Sequence, residues 1–434
     1  MKPLFIVSCP IDTYSGYGAR SRDFIKALIQ LDTYDIKILP QRWGNTPHGF
    51  ISENLEWGFL TPYLLTDSNL PKKPEIWCQI TVPNEFQAVG KYNIGLTAGI
   101  ETTGCHASWI EGCNKMDLVL TSSEHSKNIF QTMKFEARNN QTNELIKEVK
   151  LEKPIEVLIE GANLEVYKPK KSTFDLSQIK EDFAFLFVGH WMHGNIGHDR
   201  KNVGHMIQLF LEAFKNKKNT PALILKTSIS GGSYMDRKEI LKRINQIKSS
   251  IQGYKTLPNI YLVHGEMSDE DMNELYNHNK IKAMVSLTKG EGFGRPLLEF
   301  SLTKKPIIAT NWSGHIDFLN KEFTTLLPGK LHNLDDSSVV ENMLMKEFQW
   351  FGVDSQSAYT SLRDMFSNYN DYKEKGIRQA FYSKSKFNFQ IMVEQLKEYT
   401  NQYIPDFPKP IKLKLPNLKK ISLPKIKEKA NVEG

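Results

Sequence analysis

Short apolar runs alternate along the chain with segments in which apolar residues recur every three or four positions. The first apolar run covers residues 4–8, and Phe24, Ala27, Leu28 and Leu31 then follow the spacing of one helix face. Such alternation is typical of α/β domains built on parallel sheets. In the first half, the pattern predicts further strands at residues 35–39, 76–80, 94–98, 117–121 and 155–159, and helices at 107–116 and 124–133.

A second strand–helix series begins at residue 183, after a charged, proline-broken segment at residues 168–173. It predicts strands at 183–188, 222–225, 260–263, 282–286 and 306–309, helices at 203–214, 237–248 and 269–277, a short helix from Pro296, and two long helical stretches at about 338–369 and 371–400. The polar stretch at 136–153 predicts a surface insertion in the first series.

Two domains of similar size are expected, because 434 residues are too many for one ordinary hydrophobic core. The predicted division is an amino-terminal Rossmann-like domain at 1–167, a linker at 168–180, a carboxy-terminal Rossmann-like domain at 181–370, a terminal helix at 371–404 packing back toward the first domain, and a flexible tail at 405–434. In such sheets ligands bind beyond the carboxyl ends of the strands, so we expect a site between the domains.

The composition, 40% hydrophobic and 11% aromatic, is that of a packed globular protein. No segment approaches the roughly 18 consecutive apolar residues of a membrane-spanning helix, and the apolar start is too short for a signal peptide. The four cysteines lack the paired spacing of a zinc site and are expected to be reduced and buried. We therefore expect a cytoplasmic protein, either free or peripheral at a membrane.

The basic character of the chain is concentrated in its tail. Residues 405–434 contain eight lysines and three acidic residues, a net +5 of the formal +7 of the whole chain. Prolines in this segment disfavour both helix and sheet. The tail is either a solvated extension or a contact for an anionic membrane or DNA.

The segment from Lys289 to Glu299 combines three glycines with two carboxylates, directly after a predicted strand. Glycines bring bare backbone N–H groups close to a ligand, and Pro296 suits the start of a helix, whose free N–H groups favour an anion such as a diphosphate. Carboxylates repel phosphate, so their expected partners are hydroxyls: a ribose diol for Glu299 and sugar hydroxyls for Glu291. Together these features indicate a nucleotide-sugar site.

Glu291, Phe293, Gly294 and Glu299 reproduce the E-x-F-G-x-x-x-x-E signature, and the segment closely resembles that of retaining glycosyltransferases of family 4. The resemblance implies the GT-B fold, two facing Rossmann-like domains with parallel sheets and a cleft between them. It also implies transfer of a sugar from a UDP-, GDP- or ADP-sugar to an acceptor hydroxyl, with retention of configuration and no required metal. Glu291 would be catalytic, and the backbone around Phe293 and Gly294 would bind the donor.

Other segments resemble the same family in the same order. Gly16 and Gly18 stand where the family has a glycine-rich loop near the donor phosphates or the acceptor. Glu101 occupies a position at which many relatives carry a histidine, and it is the second catalytic candidate, binding the sugar or orienting the acceptor hydroxyl.

The family neutralises the donor diphosphate with a lysine and an arginine. Lys201 matches the lysine, but His190 occupies the arginine position, so Arg200 or Arg295 would have to supply that charge. Lys226, at the end of a predicted strand, is expected to face the cleft.

Three other functions share some of these features. A nucleotide-sugar epimerase of the GT-B fold would lack the E-x-F-G motif, and a phosphorylase would require a pyridoxal-phosphate lysine in a much longer chain. A catalytically idle sugar- or nucleotide-binding module would be expected to have lost the glutamate pair. The acceptor stays open between a glycan, a lipid-linked sugar, a protein, a small metabolite and a modified DNA base.

Overall fold

The computed structural model describes residues 2–67, 70, 72–139, 141–229 and 231–408, and its first sheet is parallel with six strands. These strands are β1 (Leu4–Cys9), β2 (Asp35–Pro40), β3 (Ile76–Ile80), β4 (Tyr92–Leu96), β5 (Leu118–Thr121) and β8 (Ile155–Val157). Between β5 and β8 the chain forms a separate, exposed antiparallel hairpin of β6 (Lys134–Arg138) and β7 (Leu145–Lys150). Their spatial order is β2-β1-β3-β4-β5-β8.

Helices connect the strands of this first sheet. They are α1 (Gly16–Leu31), α2 (Phe50–Glu53), α3 (Ala107–Asn114) and α4 (Glu124–Thr132), with 3-10 turns at Leu55–Tyr63 and Pro83–Glu85. In α1 the Ser15 side chain caps the helix by accepting from the Gly18 N–H at 2.9 Å. Phe24, Ala27 and Leu28 are buried, as the spacing predicts.

The second sheet is also parallel with six strands, which confirms the predicted pair of α/β series. It contains β9 (Ala184–Val188), β10 (Ala222–Lys226), β11 (Ile260–Val263), β12 (Ile281–Ser286), β13 (Ile307–Thr310) and β14 (Thr325–Leu327), in the spatial order β11-β10-β9-β12-β13-β14. Its connecting helices are α5 (Val203–Phe214), α6 (Tyr234–Ser250), α7 (Asp269–Asn277) and α8 (Arg295–Ser301).

The predicted helical stretch at 338–369 is wrong over its first half. An antiparallel pair, β15 (Gly329–Asn333) and β16 (Gln349–Val353), occupies this region, and α9 covers only Ser355–Ser367. Asp354 begins α9 by accepting from the Ser357 N–H at 2.7 Å. β16 forms a strand because it pairs with β15, and the spacing of apolar residues within β16 itself carries no information about that partner.

The second predicted stretch, 371–400, is two helices, α10 (Tyr369–Lys386) and α11 (Phe389–Tyr403). Asn388 interrupts it, accepting from the Ile391 N–H at 3.0 Å to cap α11. Here the chain returns to the first domain and pairs with the first crossing between the domains, residues 158–183. Ala162 of that crossing donates to the Phe387 carbonyl at 3.0 Å and accepts from the Phe389 N–H at 2.9 Å. The two crossing segments therefore lie side by side.

Helix α11 completes the hydrophobic core of the first domain. Met392, Val393 and Leu396 are buried in one cluster with Phe24 and Leu28 of α1. The core of the first sheet thus uses residues from both ends of the chain.

The four cysteines are free and buried, and burial raises the pKa of Cys9 to about 12. Within the described residues, no helix is both long and apolar enough to cross a bilayer. The basic tail predicted at 405–434 lies outside the described residues from 409 onward, so its predicted contacts stay predictions.

We expect Leu396→Ala to destabilise the protein by about 2–5 kcal/mol, because it opens a cavity in the first core. The measurement is the free energy of unfolding in urea. The matched control is Leu55→Ala at a side chain that is 88% exposed, where a change within about 0.5 kcal/mol is expected. Equal effects of the two variants would contradict the packing of α11.

Candidate active site

The glycine-rich loop follows β12 at the carboxyl edge of the second sheet and lies directly against the first domain. A Cβ on Gly290 would stand 1.9 Å from the Glu101 carbonyl oxygen, and one on Gly292 would stand 2.2 Å from that of Ala98. Gly294 has φ +97°, a backbone conformation that favours glycine, and α8 begins immediately after it. The loop therefore requires glycine because two backbones meet there.

Glu291 is buried and its carboxylate is held by two cations. Its Oε1 accepts from Lys201 Nζ at 2.5 Å, and its Oε2 lies 3.4 Å from Arg200 Nη1. Burial alone would raise the pKa of Glu291, but the charges of Lys201 and Arg200 outweigh it and lower the pKa to about 2. Glu291 is thus a permanent anion in the cleft.

Arg200 joins this carboxylate to the first domain. Its Nη1 donates to the Gly290 carbonyl at 2.7 Å, and its Nη2 lies 3.6 Å from Glu101 Oε1. Burial opposes the charge on Arg200, but Glu101 and Glu291 together raise its pKa. We call Glu101, Arg200, Lys201 and Glu291 the ion cluster; it brings both predicted catalytic carboxylates and two predicted cations together.

Glu299 occupies a different environment, within the first turns of α8. Its Oε1 accepts from Arg295 Nε at 2.8 Å, and its Oε2 accepts from the Tyr276 hydroxyl at 3.3 Å. Burial raises the pKa of Glu299 to about 7, against the lowering effect of Arg295 and with a further raising effect of Asp269. Arg295 also donates to Asp23 of α1, so this second carboxylate too is linked across the cleft.

The predicted glycine loop at Gly16 and Gly18 is the amino terminus of α1. Gly18 has no room for a side chain, since a Cβ would lie 2.3 Å from the Thr13 carbonyl oxygen, whereas Gly16 is exposed with open space around it. Between them, the Tyr17 hydroxyl accepts from the Ala98 N–H at 3.1 Å. The start of α1 therefore adjoins the segment that contacts the glycine-rich loop.

Three predicted residues have their closest partners outside the ion cluster. His190 Nδ1 lies 2.9 Å from Ser228 Oγ, and Lys226 Nζ donates to the Gly265 carbonyl at 2.7 Å. Phe293 is buried in the core of the second domain, with its ring centroid 5.0 Å from that of Phe318. Its side chain is structural, so only its backbone is available to a ligand.

Several residues of the site were not predicted. Asp23 and Tyr276 lie within helical patterns and resemble ordinary helix positions, so only the fold shows that they meet Arg295 and Glu299. Lys289 lies 4.6 Å above the Trp350 ring and donates to the Gly197 carbonyl at 2.7 Å. Burial lowers the pKa of Lys289 to about 8.

Among the described residues, no group of three or more His, Cys, Asp or Glu side chains is arranged to hold a metal ion.

One family of known proteins matches part of the sequence, and several solved structures match the fold. Residues 195–330, which contain Arg200, Lys201 and the glycine-rich loop, match the family described as glycosyl transferases group 1. Over 93% of this chain, the structure superposes on 99% of sucrose-phosphate synthase from Thermosynechococcus elongatus, with a TM-score of 0.59 and 11% identity. The fold is GT-B.

Two further GT-B structures are similar over nearly their whole length. A glycosyltransferase from Rickettsia africae is 14% identical with a TM-score of 0.58, covering 94% of this chain and 100% of that one. Anabaena HepE, in complex with UDP and glucose, is 12% identical with a TM-score of 0.55, covering 92% and 100%. Among curated protein sequences, none matches the chain. At these identities the structural likeness establishes the fold alone.

We expect Glu291→Gln to lower the free energy of unfolding at pH values where the Glu291 carboxylate is ionised. The folded pKa of Glu291, about 2, lies below its ordinary 4.5, so its contribution is complete above about pH 4.5 and is lost as the pH falls toward 2. The difference in unfolding free energy between wild type and variant should therefore shrink by up to about 3 kcal/mol over that fall. Urea titrations at a series of pH values measure it.

Glu299→Gln should show the opposite pH dependence. The folded pKa of Glu299, about 7, lies above its ordinary 4.5, so the stability that its protonation contributes is present below about pH 4.5 and is lost as the pH rises through 7. The variant should gain stability relative to wild type over this rise, by up to about 3 kcal/mol. If the difference in unfolding free energy between wild type and variant changed with pH in the same direction for Glu291→Gln and Glu299→Gln, the two different environments would be contradicted.

Proposed function

We propose that this protein is a glycosyltransferase that moves a sugar from a nucleotide-diphosphate sugar to an acceptor hydroxyl. The observation that carries the proposal is the ion cluster: two buried cations and two carboxylates converge where the donor-side loop meets the first domain. The match of residues 195–330 to glycosyl transferases group 1 supports it, because that segment supplies both cations and Glu291.

Lys201 and Arg200 would stabilise the leaving diphosphate. As the glycosidic bond breaks, negative charge grows on the nucleoside diphosphate, and prepositioned cations in a water-poor cleft are the strongest means of stabilising it. Both side chains are largely buried and already fixed in place by Glu291. A donor diphosphate would therefore replace Glu291 as the ion-pair partner of Lys201 and Arg200. The Glu291 carboxylate would then accept hydrogen bonds from the hydroxyls of the sugar.

Glu299 would bind the ribose of the nucleotide. Its carboxylate is held by Arg295 and Tyr276, both of which donate to it, and a ribose diol offers the same kind of donors. Binding would require Arg295 to share or release that carboxylate while keeping Asp23 as its partner. UDP-sugars are the first donors to test, since HepE is complexed with UDP.

Glu101 would serve the acceptor side. It belongs to the first domain, its side chain is 31% exposed, and it faces Arg200. From there it can bind the transferred sugar or orient the attacking hydroxyl. We propose retention of configuration by attack on the same face from which the diphosphate leaves, with Arg200 and Lys201 as the positive charges and no metal. The acceptor class is a glycan, a lipid-linked sugar or a modified DNA base.

A screen of UDP-, GDP- and ADP-sugars for acceptor-independent hydrolysis tests the proposal. Wild type should release free sugar from one donor class, and Lys201→Met and Glu299→Ala should each lower kcat/KM by about 10²-fold or more, by removing charge stabilisation or donor binding. The matched control is Glu322→Ala, at an exposed glutamate, with unchanged kcat/KM expected. Conversion of a nucleotide sugar into its epimer without release of the nucleotide would contradict transfer.

A further inference from the structure

A cavity of about 220 Å³ lies where the chain crosses between the two domains. Leu164, Tyr167 and Pro169 line it from the first crossing, and Ala380 and Phe381 line it from α10, which leads into the second crossing. Its lining includes no member of the ion cluster. The cavity is therefore distinct from the ion cluster and lies between the first crossing, α10 and the segment that follows α8.

The walls of the cavity are mainly apolar. Tyr167 and Ala380 are buried, Leu302 adds a further aliphatic surface, and Phe381 at the rim is 63% exposed. An aromatic side chain that stays open to water beside an apolar recess gains free energy when a ligand with an apolar chain covers it.

Three lysines also line the cavity: Lys168, Lys304 and Lys384. None of their ammonium groups forms an ion pair within the part of the chain that the structure describes. Neighbouring lysines do have partners, since Lys170 pairs with Glu274 and Lys305 donates to the Tyr276 carbonyl at 2.6 Å. The lining contains these three lysines and no acidic side chain, and the Lys304 ammonium lies 5.8 Å from the centroid of the Phe381 ring, so the recess complements an anion.

We propose that the cavity binds a single-chain amphiphile with an anionic head, a carboxylate or a phosphate monoester. The chain would lie against Leu302 and Phe381, and the head would lie among the three lysines. The recess opens to solvent beside the exposed Phe381, so an apolar chain can enter it from there. This inference does not rest on the proposed transferase activity, because it concerns binding at a separate site.

Titration calorimetry of the full chain with decyl phosphate, below its micelle concentration, tests the proposal. We expect saturable binding to wild type, weakened about tenfold in Lys384→Glu and in Lys304→Glu, because attraction of one unit charge becomes repulsion. The matched control is Lys373→Glu, an exposed lysine three turns earlier on α10, with wild-type binding expected. Equal binding by all four proteins would overturn the assignment of the head group.

The apolar part of the site has its own test. Butyl phosphate should bind at least about tenfold more weakly than decyl phosphate, since it buries fewer methylene groups, and Phe381→Ala should weaken decyl phosphate alone. Phe381 is exposed, so this variant remains informative if a charge reversal fails to fold. Equal affinity for the two phosphates would overturn the proposal, as would binding to mixed phosphatidylcholine and phosphatidylglycerol vesicles without binding of decyl phosphate.

Discussion

A buried ion cluster that crosses from one domain to the other is the interaction on which the site depends. Glu291 is held by Lys201 and Arg200, and Arg200 reaches Glu101 of the first domain. Arg200, Lys201 and Glu291 are tolerated away from water because their charges compensate one another, and removal of one partner from such a buried set typically costs about 3–5 kcal/mol. The charge balance in the cleft consequently depends on how the two domains are placed, because the cluster needs residues from both.

The glycines of the loop make this charge arrangement possible. Gly290 and Gly292 let the backbone of the second domain touch the backbone at Glu101 and Ala98, so that no side chain separates the two domains there. With the backbones in contact, Arg200 can reach carboxylates of both. The loop is fixed from its other side as well, since the Glu291 N–H donates to Ser313 Oγ at 2.9 Å.

The two glutamates of one motif differ because their neighbours differ. Glu291 has two cations within reach, and its pKa falls to about 2; Glu299 is equally buried but shares Arg295 with Asp23, and its pKa rises to about 7. One carboxylate is thus an anion that holds two cations, and the other, with a pKa of about 7, is divided between its ionised and protonated forms near neutral pH. A single sequence signature therefore produces two chemical environments.

Local signals were enough to predict most of the fold, because helix faces and caps are encoded within a few residues. The predicted helix at 203–214 and that at 269–277, which begins with a capping box at Ser268, agree with the structure at both ends. The glycine-rich loop between β12 and α8 was equally predictable, since glycines after an apolar run and a proline at a helix start are local signals, whereas the roles of its carboxylates stay predictions. The hairpin of β15 and β16, the pairing of Arg295 with Asp23 and the burial of the Phe293 ring were decided only by the tertiary structure. Each of these depends on a partner distant in sequence, and a residue's own neighbours along the chain carry no information about which distant group will lie beside it.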